Sequence, residues 1–368
     1  MSKSRFGVGL IGVQPNRSWA TTGHIPALRA LPDSFEIVGV ANTRKESAEQ
    51  AAAAYGIPRA FANPGELAAD PSVDIVTITV KVPYHRELAK IAFDAGKHVY
   101  CEWPLGHDAA DAQDMARMAK EKGLLGVVGI QSEASPEIEY AAKLIKDGYV
   151  GQVLSSTIVA RGRGWGAVQP LKSTSYVLDR KLGSTMLTVP VGHTLSALRK
   201  VLGGIAELSA VLANRRTSVL IKDTGETAPM TSHDQVLVAG LLEGGAPISL
   251  HVRGGDARDG NGFWWQINGT EGDLQLSGAS GHTQQVQLAL KGGQGEDREL
   301  KPIEVPASYR QGGPENIVVG NVARLYGRMA NDLRHGTHTA PAFADAVEIH
   351  KIIDAIVTSA ESGRRVRV

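Results

Sequence analysis

The chain has 368 residues, enough for two domains that each bury a core. Its 39 basic and 38 acidic residues nearly cancel, so no net field draws it to nucleic acid or to an anionic membrane. The only cysteine, Cys101, excludes an intrachain disulfide and predicts a buried residue in a reducing compartment. Without a signal peptide or an apolar run of membrane-spanning length, we expect a cytoplasmic protein with no membrane partner.

Strand and helix alternate strictly over the first third of the chain. This alternation predicts a parallel, doubly wound α/β sheet. The predicted elements are strand 6–11, helix 24–31, strand 36–41, helix 45–55, helix 66–68, strand 73–80, helix 85–95, strand 98–101, helix 108–122 and strand 126–130. Ligands of such sheets bind at the carboxyl ends of the strands, so the residues after each strand are the candidates for a site.

After residue 131, strands follow one another with glycine-rich turns between them, which predicts an α+β domain with an open, mostly antiparallel sheet. The predicted strands are 153–161, 207–214, 234–242, 248–253, 263–269 and 273–276, and the predicted helices are 135–147, 186–202, 316–335 and 342–363. The polar segment 281–299 predicts a mobile loop or an edge hairpin. We therefore divide the chain into a dinucleotide-binding domain at 1–130 and a substrate and oligomerisation domain at 131–368. The last helix is a candidate to pack back on the first domain.

The turn after the first strand is the first candidate for binding phosphate. A G-x-G-x-x-G pattern occurs at residues 7–12, but its glycines fall inside the strand, so we do not take it as the phosphate-binding fingerprint. The turn itself runs from Gly12 to Gly23. Arg17, Ser18 and the start of the next helix suit a pyrophosphate there, against the alternative of a plain surface loop.

The second strand ends at Asn42, where a site for NAD usually has an acid that binds the ribose 2′-hydroxyl. A neutral residue removes the repulsion toward a 2′-phosphate, and Arg44 can pair with that phosphate or stack on adenine. The pattern therefore favours NADP over NAD as cofactor. A solvated helix start is the alternative, and it explains Thr43 as a cap but not Arg44.

Three further residues suit proton chemistry or cofactor contact. Lys81 follows a β-branched strand at its carboxyl end, where a lysine is more often functional than on a helix face. His85 begins a helix and is interpreted as a structural residue or a contact to the cofactor ribose. His193 is a candidate general base because the ordinary pKa of histidine lies near neutrality, although a lone helix histidine is more often structural. The remaining histidines have no metal-ligand spacing, so we expect no metal.

Taken together, these segments resemble the glucose–fructose oxidoreductase/inositol dehydrogenase (Gfo/Idh/MocA) family. The resemblance rests on residues 79–85, residues 95–99, Glu102-x-Pro104, residues 144–151, His193 and residues 346–365. It implies an N-terminal Rossmann domain and a C-terminal open antiparallel sheet. Two catalytic positions of the family are apolar here: its Glu-Lys-Pro lysine is Trp103, and its acid four residues before the histidine is Val189. The long first loop with Trp19 and the Glu-Trp-Pro sequence look most like the branch of the fungal galactose-regulon repressor.

The residues and the resemblance together give two sets of site residues. The expected cofactor-binding residues are Gly12, Val13, Arg17, Ser18, Trp19, Asn42, Thr43, Arg44, Thr79, Val80, Lys81, His85, Glu102 and Trp103. The expected substrate contacts are Gln131, Arg163, Trp165, Tyr176, Thr188 and His193. His193 is the expected base, with Lys81 in place of the missing lysine.

The favoured function is an NAD(P)-dependent oxidoreductase that acts on a sugar, polyol or related hydroxyl compound, for which the cofactor supplies the hydride chemistry. The alternative is a non-catalytic regulator that binds the dinucleotide and a protein partner, as the loss of the lysine and the acid suggests. NAD-dependent glycoside cleavage or lyase chemistry is a third possibility. An open sheet with one uncovered face predicts a homodimer or homotetramer.

Overall fold

The computed structural model describes residue 3, residues 5–15 and residues 18–368. Their contacts divide the chain into two compact units: Met1–Gln131 with Gln311–Glu348, and Ser132–Arg310 with Ile349–Val368. The sequence-based division has a single boundary after residue 130. The structural division has three boundaries, after residues 131, 310 and 348, because residues 311–348 belong to the first unit.

The strands and helices of the described residues are numbered here in chain order. The strands are β1 (Phe6–Ile11), β2 (Phe35–Ala41), β3 (Ala60–Phe61), β4 (Ile75–Ile78), β5 (His98–Glu102), β6 (Gly126–Gly129), β7 (Val153–Gly162), β8 (Val168–Gln169), β9 (Ile205–Ala213), β10 (Ser218–Ile221), β11 (Thr227–Pro229), β12 (Gln235–Leu242), β13 (Pro247–Gly254), β14 (Phe263–Gly269), β15 (Gly272–Gly278), β16 (Leu288–Gln294), β17 (Lys301–Pro302) and β18 (Val366–Arg367). The α-helices are α1 (Ile25–Arg29), α2 (Lys45–Tyr55), α3 (Pro64–Ala69), α4 (His85–Asp94), α5 (Ala109–Lys122), α6 (Pro136–Lys146), α7 (Pro190–Leu202), α8 (Ile317–His335) and α9 (Phe343–Ser362).

The first unit is built on a six-stranded parallel sheet in the order β3-β2-β1-β4-β5-β6. This order confirms the predicted doubly wound α/β fold. Because the strand order reverses at β1, the carboxyl ends of β1 and β4 flank the crevice where ligands of such sheets bind.

Local capping explains why several predicted helices agree closely with the structure. Helix α2 ends at Gly56, whose left-handed φ of 56° suits glycine. Helix α5 begins after Asp108, whose side chain accepts a hydrogen bond from the backbone N–H of Asp111 at 2.9 Å. The predicted helix 24–31 differs, because a π-helix at Ala20–His24 leads into the short α1.

The second unit contains a nine-stranded sheet in the order β17-β16-β15-β14-β7-β13-β12-β9-β18. Only the β7–β13 pair is parallel, so the prediction of a mostly antiparallel sheet is confirmed. Of the two alternatives for residues 281–299, the mobile loop is wrong and the edge hairpin agrees with the structure, since β16 pairs antiparallel with β15 and with the edge strand β17. Glycines at 292 and 293 weakened the apolar alternation by which strands are recognised.

The sequence did not predict a separate three-stranded sheet, β11-β10-β8, because its strands are only two to four residues long.

Helix α7 begins four residues later than predicted. The preceding residues form a turn in which the Thr188 hydroxyl donates to the carbonyl oxygen of Gly183 at 2.6 Å.

One face of the nine-stranded sheet is buried and the other is more exposed. The register places Val211 opposite Leu237, Leu237 opposite His251, His251 opposite Val159, and Val159 opposite Trp264. Val211 is 59% exposed, Leu237 39% and Val159 37%. This row of side chains across five strands is named the open face.

Of the helices in the described ranges, none is long and apolar enough to cross a membrane.

Candidate dinucleotide and substrate sites

The glycines of β1 serve close packing within the sheet. A Cβ on Gly7 would lie 1.9 Å from the carbonyl oxygen of Ser72, and one on Gly9 would lie 2.4 Å from the side chain of Leu67. Both glycines lie inside the strand. This packing role agrees with the prediction that these glycines are not a phosphate-binding fingerprint.

Gly12 directly follows β1 and shapes the start of the turn. Its φ is +98°, and a Cβ there would lie 2.7 Å from the side chain of Val80. The Thr79 hydroxyl donates to the carbonyl oxygen of Ile11 at 2.8 Å, which ties the end of β1 to the residue after β4. A side chain here would clash with Val80 and strain the backbone, so the turn requires glycine.

The first loop holds Ser18 and Trp19, whereas Arg17 lies outside the described residues. The hydroxyl of Ser18 donates to the carbonyl oxygen of Gln14 and accepts from its N–H, both at 3.1 Å. The indole Nε1 of Trp19 is buried without a hydrogen-bond partner in the described part of the chain. A buried N–H without an acceptor is a group that a ligand oxygen can satisfy.

Asn42 is the most informative residue at this edge of the sheet. Its Nδ2 donates to the carbonyl oxygens of Val13 at 2.8 Å and Ser47 at 3.0 Å, which fixes the orientation of the amide. Its Oδ1 is therefore the atom left over, and this oxygen is buried without a partner among the described residues. The side chain presents a hydrogen-bond acceptor and no free donor.

Thr43 and Arg44 are both exposed at the start of α2. The backbone of Arg44 occupies the N-cap position, and its guanidinium has no hydrogen bond or ion pair to any described residue. Thr43, interpreted as the cap in the alternative reading, lies one residue earlier.

Lys81 and His85 flank a short 3-10 helix, Val82–Tyr84. Lys81 is exposed and lies three residues beyond β4, because that strand is shorter than predicted. His85 is buried, with Nδ1 3.0 Å from the carbonyl oxygen of Pro104 and Nε2 3.0 Å from that of Val80. Burial lowers the pKa of His85. This geometry supports the structural interpretation of His85, since both ring nitrogens face the backbone.

Glu102 ends β5 and anchors a polar network that the sequence did not predict. Its Oε1 accepts hydrogen bonds from Nε2 of His24 at 2.8 Å and from Nε2 of Gln131 at 2.7 Å. Two donors on one oxygen suit an ionised carboxylate. Gln131, expected at the substrate, thus has its amide nitrogen committed to Glu102.

The network continues inward from His24, which is fully buried. Its Nδ1 lies 2.9 Å from the hydroxyl of Tyr326, and that hydroxyl lies 2.9 Å from Oγ1 of Thr77. The ring of Tyr326 stacks on Tyr100 with centroids 4.7 Å apart. Residues distant in sequence therefore support Glu102, and the hydrophobic periodicity of the sequence does not predict such contacts.

Trp103, next to Glu102, is buried and is joined to Pro104 by a cis peptide bond.

His193 lies in the first turn of α7 in the second unit and is 3% exposed. The hydroxyl of Ser132 donates to the carbonyl oxygen of His193 at 3.0 Å and lies 3.4 Å from Nδ1 of the same residue. Since that hydroxyl proton is already used, Ser132 can only accept from Nδ1–H. The neutral ring therefore carries its lone pair on Nε2, which has no partner among the described residues. Burial, and secondarily the charge of His282, lowers the pKa of His193 to about 3.

Two of the expected substrate residues lie on the short 3-10 helix Arg163–Trp165 after β7. Trp165 is buried, and its Nε1 donates to the carbonyl oxygen of Val177 at 3.0 Å. Arg163 is exposed and pairs with Asp256 at 3.2 Å. The ring of His282, which the sequence analysis did not select, stacks on Trp165 with centroids 6.0 Å apart and planes at 18°.

Thr188 and Tyr176 complete the expected substrate set. The Thr188 hydroxyl is engaged in the turn before α7, and it also accepts from the N–H of Thr185 at 2.8 Å. Tyr176 is half-buried on the 3-10 helix Lys172–Leu178, and burial raises its pKa. In the ranges the structure describes, no group of three or more His, Cys, Asp or Glu residues is placed to hold a metal.

Two family models match the chain, one on each side of residue 131. Residues 6–130 match the oxidoreductase family with the NAD-binding Rossmann fold, GFO_IDH_MocA, and residues 136–278 match the C-terminal domain of Gal80p. Neither model spans half of the chain, and both agree with a resemblance to the Gfo/Idh/MocA family. The resemblance drawn from Glu102-x-Pro104 and the other segments is thereby confirmed, including its position near the Gal80 branch.

Proteins similar to this chain include both a dehydrogenase and a regulatory protein. Dehydrogenase aclE of Aspergillus oryzae is 29% identical over 99% of this chain and 98% of its own length. The galactose/lactose metabolism regulatory protein GAL80 of Saccharomyces cerevisiae is 25% identical over 98% of this chain and 94% of its own.

Two solved structures share the fold of the chain. A super-repressor mutant of Gal80p from Saccharomyces cerevisiae has a TM-score of 0.90 at 24% identity and covers 99% of this chain and 98% of its own. Levoglucosan dehydrogenase in complex with NADH and levoglucosan has a TM-score of 0.85 at 22% identity, with 99% of both chains covered.

Proposed function

We propose that this protein is an NAD(H)-dependent dehydrogenase that acts on a sugar, polyol or related hydroxyl compound. The observation that carries the proposal is the orientation of His193, whose Nε2 lone pair is left unpartnered by the bond between Nδ1 and Ser132. A dehydrogenase needs a group that accepts the hydroxyl proton of its substrate, and the bound cofactor supplies the hydride chemistry. The names of aclE and levoglucosan dehydrogenase support the same class of reaction.

The low pKa of His193 is compatible with this role. In the unliganded protein the ring is neutral, as a proton acceptor must be. Negative charge that develops on a substrate oxygen beside Nε2 favours the protonated ring and raises its pKa toward the working range. Lys81 is proposed as a second polar group that acts on the substrate oxygen, in place of the lysine that Trp103 replaces.

The residues of the first unit fit a dinucleotide. The turn after β1 begins at Gly12, and the unpartnered Nε1 of Trp19 and Oδ1 of Asn42 are free to bond a ligand. An amide oxygen accepts from a ribose 2′-hydroxyl but repels a 2′-phosphate, and both donors of Asn42 are used elsewhere. This geometry favours NAD(H), whereas the sequence pattern favours NADP because residue 42 is neutral and Arg44 is basic.

A panel of sugars and polyols tested with NAD and NADP, followed by the absorbance of the reduced cofactor, examines the proposal. We expect turnover with at least one hydroxyl compound and its loss in His193→Gln, which keeps a polar side chain of similar size. Lys81→Ala tests the second group in the same assay. Cofactor binding without turnover of any compound would contradict the enzyme assignment.

A dinucleotide-binding regulator is the second candidate. It is favoured by Trp103 and Val189, which replace the lysine and the acid of the family, and by the likeness to GAL80 along nearly the whole chain. In that case the protein binds NAD(H) and a protein partner but turns over no substrate. The substitution His193→Gln then changes no activity.

We also propose that the open face is covered by a second copy of this chain. Its three exposed side chains, Val211, Leu237 and Val159, lie on strands β9, β12 and β7 within one sheet. Exposed apolar side chains that share one face of a sheet are a common site of self-association.

A further inference from the structure

A second histidine in the second unit has the environment of a binding residue. His282 lies in the segment after β15, where the N–H of Gly281 donates to the carbonyl oxygen of Arg161 at 3.1 Å. Its ring stacks on Trp165, and the residue as a whole is only half-buried.

Packing places this stack near the start of α7, which carries His193. Gly162, the last residue of β7, lies between the two features: a Cβ there would be 2.7 Å from Sδ of Met186 and 3.1 Å from the ring of Trp165. The carbonyl oxygen of Met186 in turn accepts a hydrogen bond from the N–H of Val191 at the beginning of α7. One end of β7 thus carries Arg163 and Trp165, which the sequence analysis expected at the substrate, and His282, which it did not.

The two nitrogens of His282 are in different situations. Nδ1 is buried and has no hydrogen-bond partner in the described part of the chain. A buried N–H without an acceptor costs more free energy than a buried lone pair without a donor. The neutral ring therefore keeps its proton on Nε2, which makes that nitrogen a hydrogen-bond donor.

The two histidines are consequently complementary. His193 presents a lone pair on Nε2, because its Nδ1–H is directed at Ser132, whereas His282 presents an N–H. A lone pair and an N–H are what two hydroxyl groups of one molecule require, one as donor and one as acceptor.

We propose that His282 is a substrate-binding residue that recognises a compound with at least two hydroxyl groups. Its Nε2–H donates to the oxygen of one hydroxyl, while Nε2 of His193 accepts from the other. The interaction of His282 is non-covalent, and it rests on the proposed function only for the identity of His193 as the proton acceptor.

The electrostatics of the cluster support this arrangement. Burial, and secondarily the charge of Arg163, lowers the pKa of His282 to about 4, and that of His193 is about 3. Both rings are neutral at physiological pH, so they recognise uncharged hydroxyl groups by direction of hydrogen bonding rather than by charge. The exposed ion pair of Arg163 with Asp256 leaves little net charge beside them.

Three variants separate recognition from packing. His282→Phe keeps a ring that can stack on Trp165 but removes both nitrogens, whereas His282→Gln restores an N–H donor near the position of Nε2. His233→Phe is the matched control, because it removes another half-buried histidine of the same unit. Melting temperature and NADH affinity are measured for each variant to show that folding and cofactor binding are retained.

The proposal predicts that His282→Phe raises the KM, or the Kd measured by calorimetry, for the active polyol by about 3- to 10-fold, as expected for one lost hydrogen bond. His282→Gln recovers part of this loss, and His233→Phe shows none. An unchanged KM in His282→Phe overturns the proposal even if the wild-type protein is an active dehydrogenase.

The same experiments distinguish a failure of the dehydrogenase assignment from a failure of the role of His282. If the wild-type protein turns over no compound but binds a polyol, and His282→Phe abolishes that binding, the dehydrogenase assignment fails and the role of His282 stands. If the wild-type protein neither binds nor oxidises any polyol of the panel, both fail.

Discussion

At the scale of single residues, the neutral state of His193 affects stability as well as chemistry. Its pKa is about 3 in the folded protein against 6.5 for an unperturbed histidine. Between these two pH values the unfolded chain binds a proton that the folded protein does not. The free energy of unfolding therefore falls as the pH is lowered through this window, by up to about 1.4 kcal/mol per pH unit for one proton.

Replacing His193 by Gln should remove this contribution. We expect the variant to lose less stability than the wild-type protein between about pH 6.5 and pH 4, because its side chain does not titrate. Urea unfolding at a series of pH values measures the difference. The exposed histidine variant His338→Gln serves as control, and an identical pH dependence in wild type and His193→Gln would count against the buried neutral histidine.

Asn42 and Arg44 make opposite predictions about the cofactor, and their balance is measurable. The geometry of Asn42 predicts tighter binding of NADH than of NADPH. Arg44→Ala should weaken NADPH and leave NADH nearly unchanged, since only the 2′-phosphate adds a negative charge for the guanidinium. Lys45→Ala, which removes a neighbouring exposed cation, is the control in a fluorescence titration. A wild-type preference for NADPH would show that Arg44 outweighs Asn42.

At the scale of elements, the π-helix Ala20–His24 has a clear structural consequence. It ends on the histidine that joins Glu102 of β5 to Tyr326 of α8. π-Helical turns are rare and often occur at functional sites. Here the turn brings a side chain of the first loop against the carboxyl edge of the sheet.

Tyr326→Phe tests how much this hydrogen-bond network contributes to the free energy of unfolding. The change removes one hydroxyl and leaves Nδ1 of His24 and Oγ1 of Thr77 without that partner, so we expect a loss of about 1–3 kcal/mol in the free energy of unfolding. Tyr84→Phe, at a tyrosine that is 58% exposed, should cost almost nothing. Equal stability of the two variants in urea unfolding would show that the hydroxyl chain does not stabilise the unit.

Elements with a strong local signal could be predicted from sequence, and contacts between distant residues could not. Helix α2 has alanine-rich periodicity and ends at Gly56, and its bounds agree with the prediction. For β16 the sequence left a mobile loop and an edge hairpin open, because its glycines interrupt the alternation, and β8, β10 and β11 are too short to show an alternation. His193 could be selected from its place on a helix, but His282 depends on stacking against Trp165, which no local pattern encodes.

At the scale of the whole molecule, the open face predicts self-association. A charge introduced at its centre should prevent a second copy from packing there, because the charge would have to be buried without a partner. We therefore expect Leu237→Lys to shift the protein to a smaller species by light scattering or sedimentation. The matched variant is Tyr84→Lys, which places the same charge at an exposed aromatic residue of the first unit. A wild-type protein that is monomeric at all concentrations would overturn this prediction.

The division of both units along the chain has a consequence for biosynthesis. The first unit needs residues 311–348, which supply Tyr326 and Phe343, and the second needs residues 349–368, which supply β18. A ribosome that adds roughly 5–20 residues per second leaves His24 and Tyr100 without Tyr326 for on the order of ten seconds or more. Nascent chains that stall before residue 311 would carry two incomplete cores until residues 311–368 have been added.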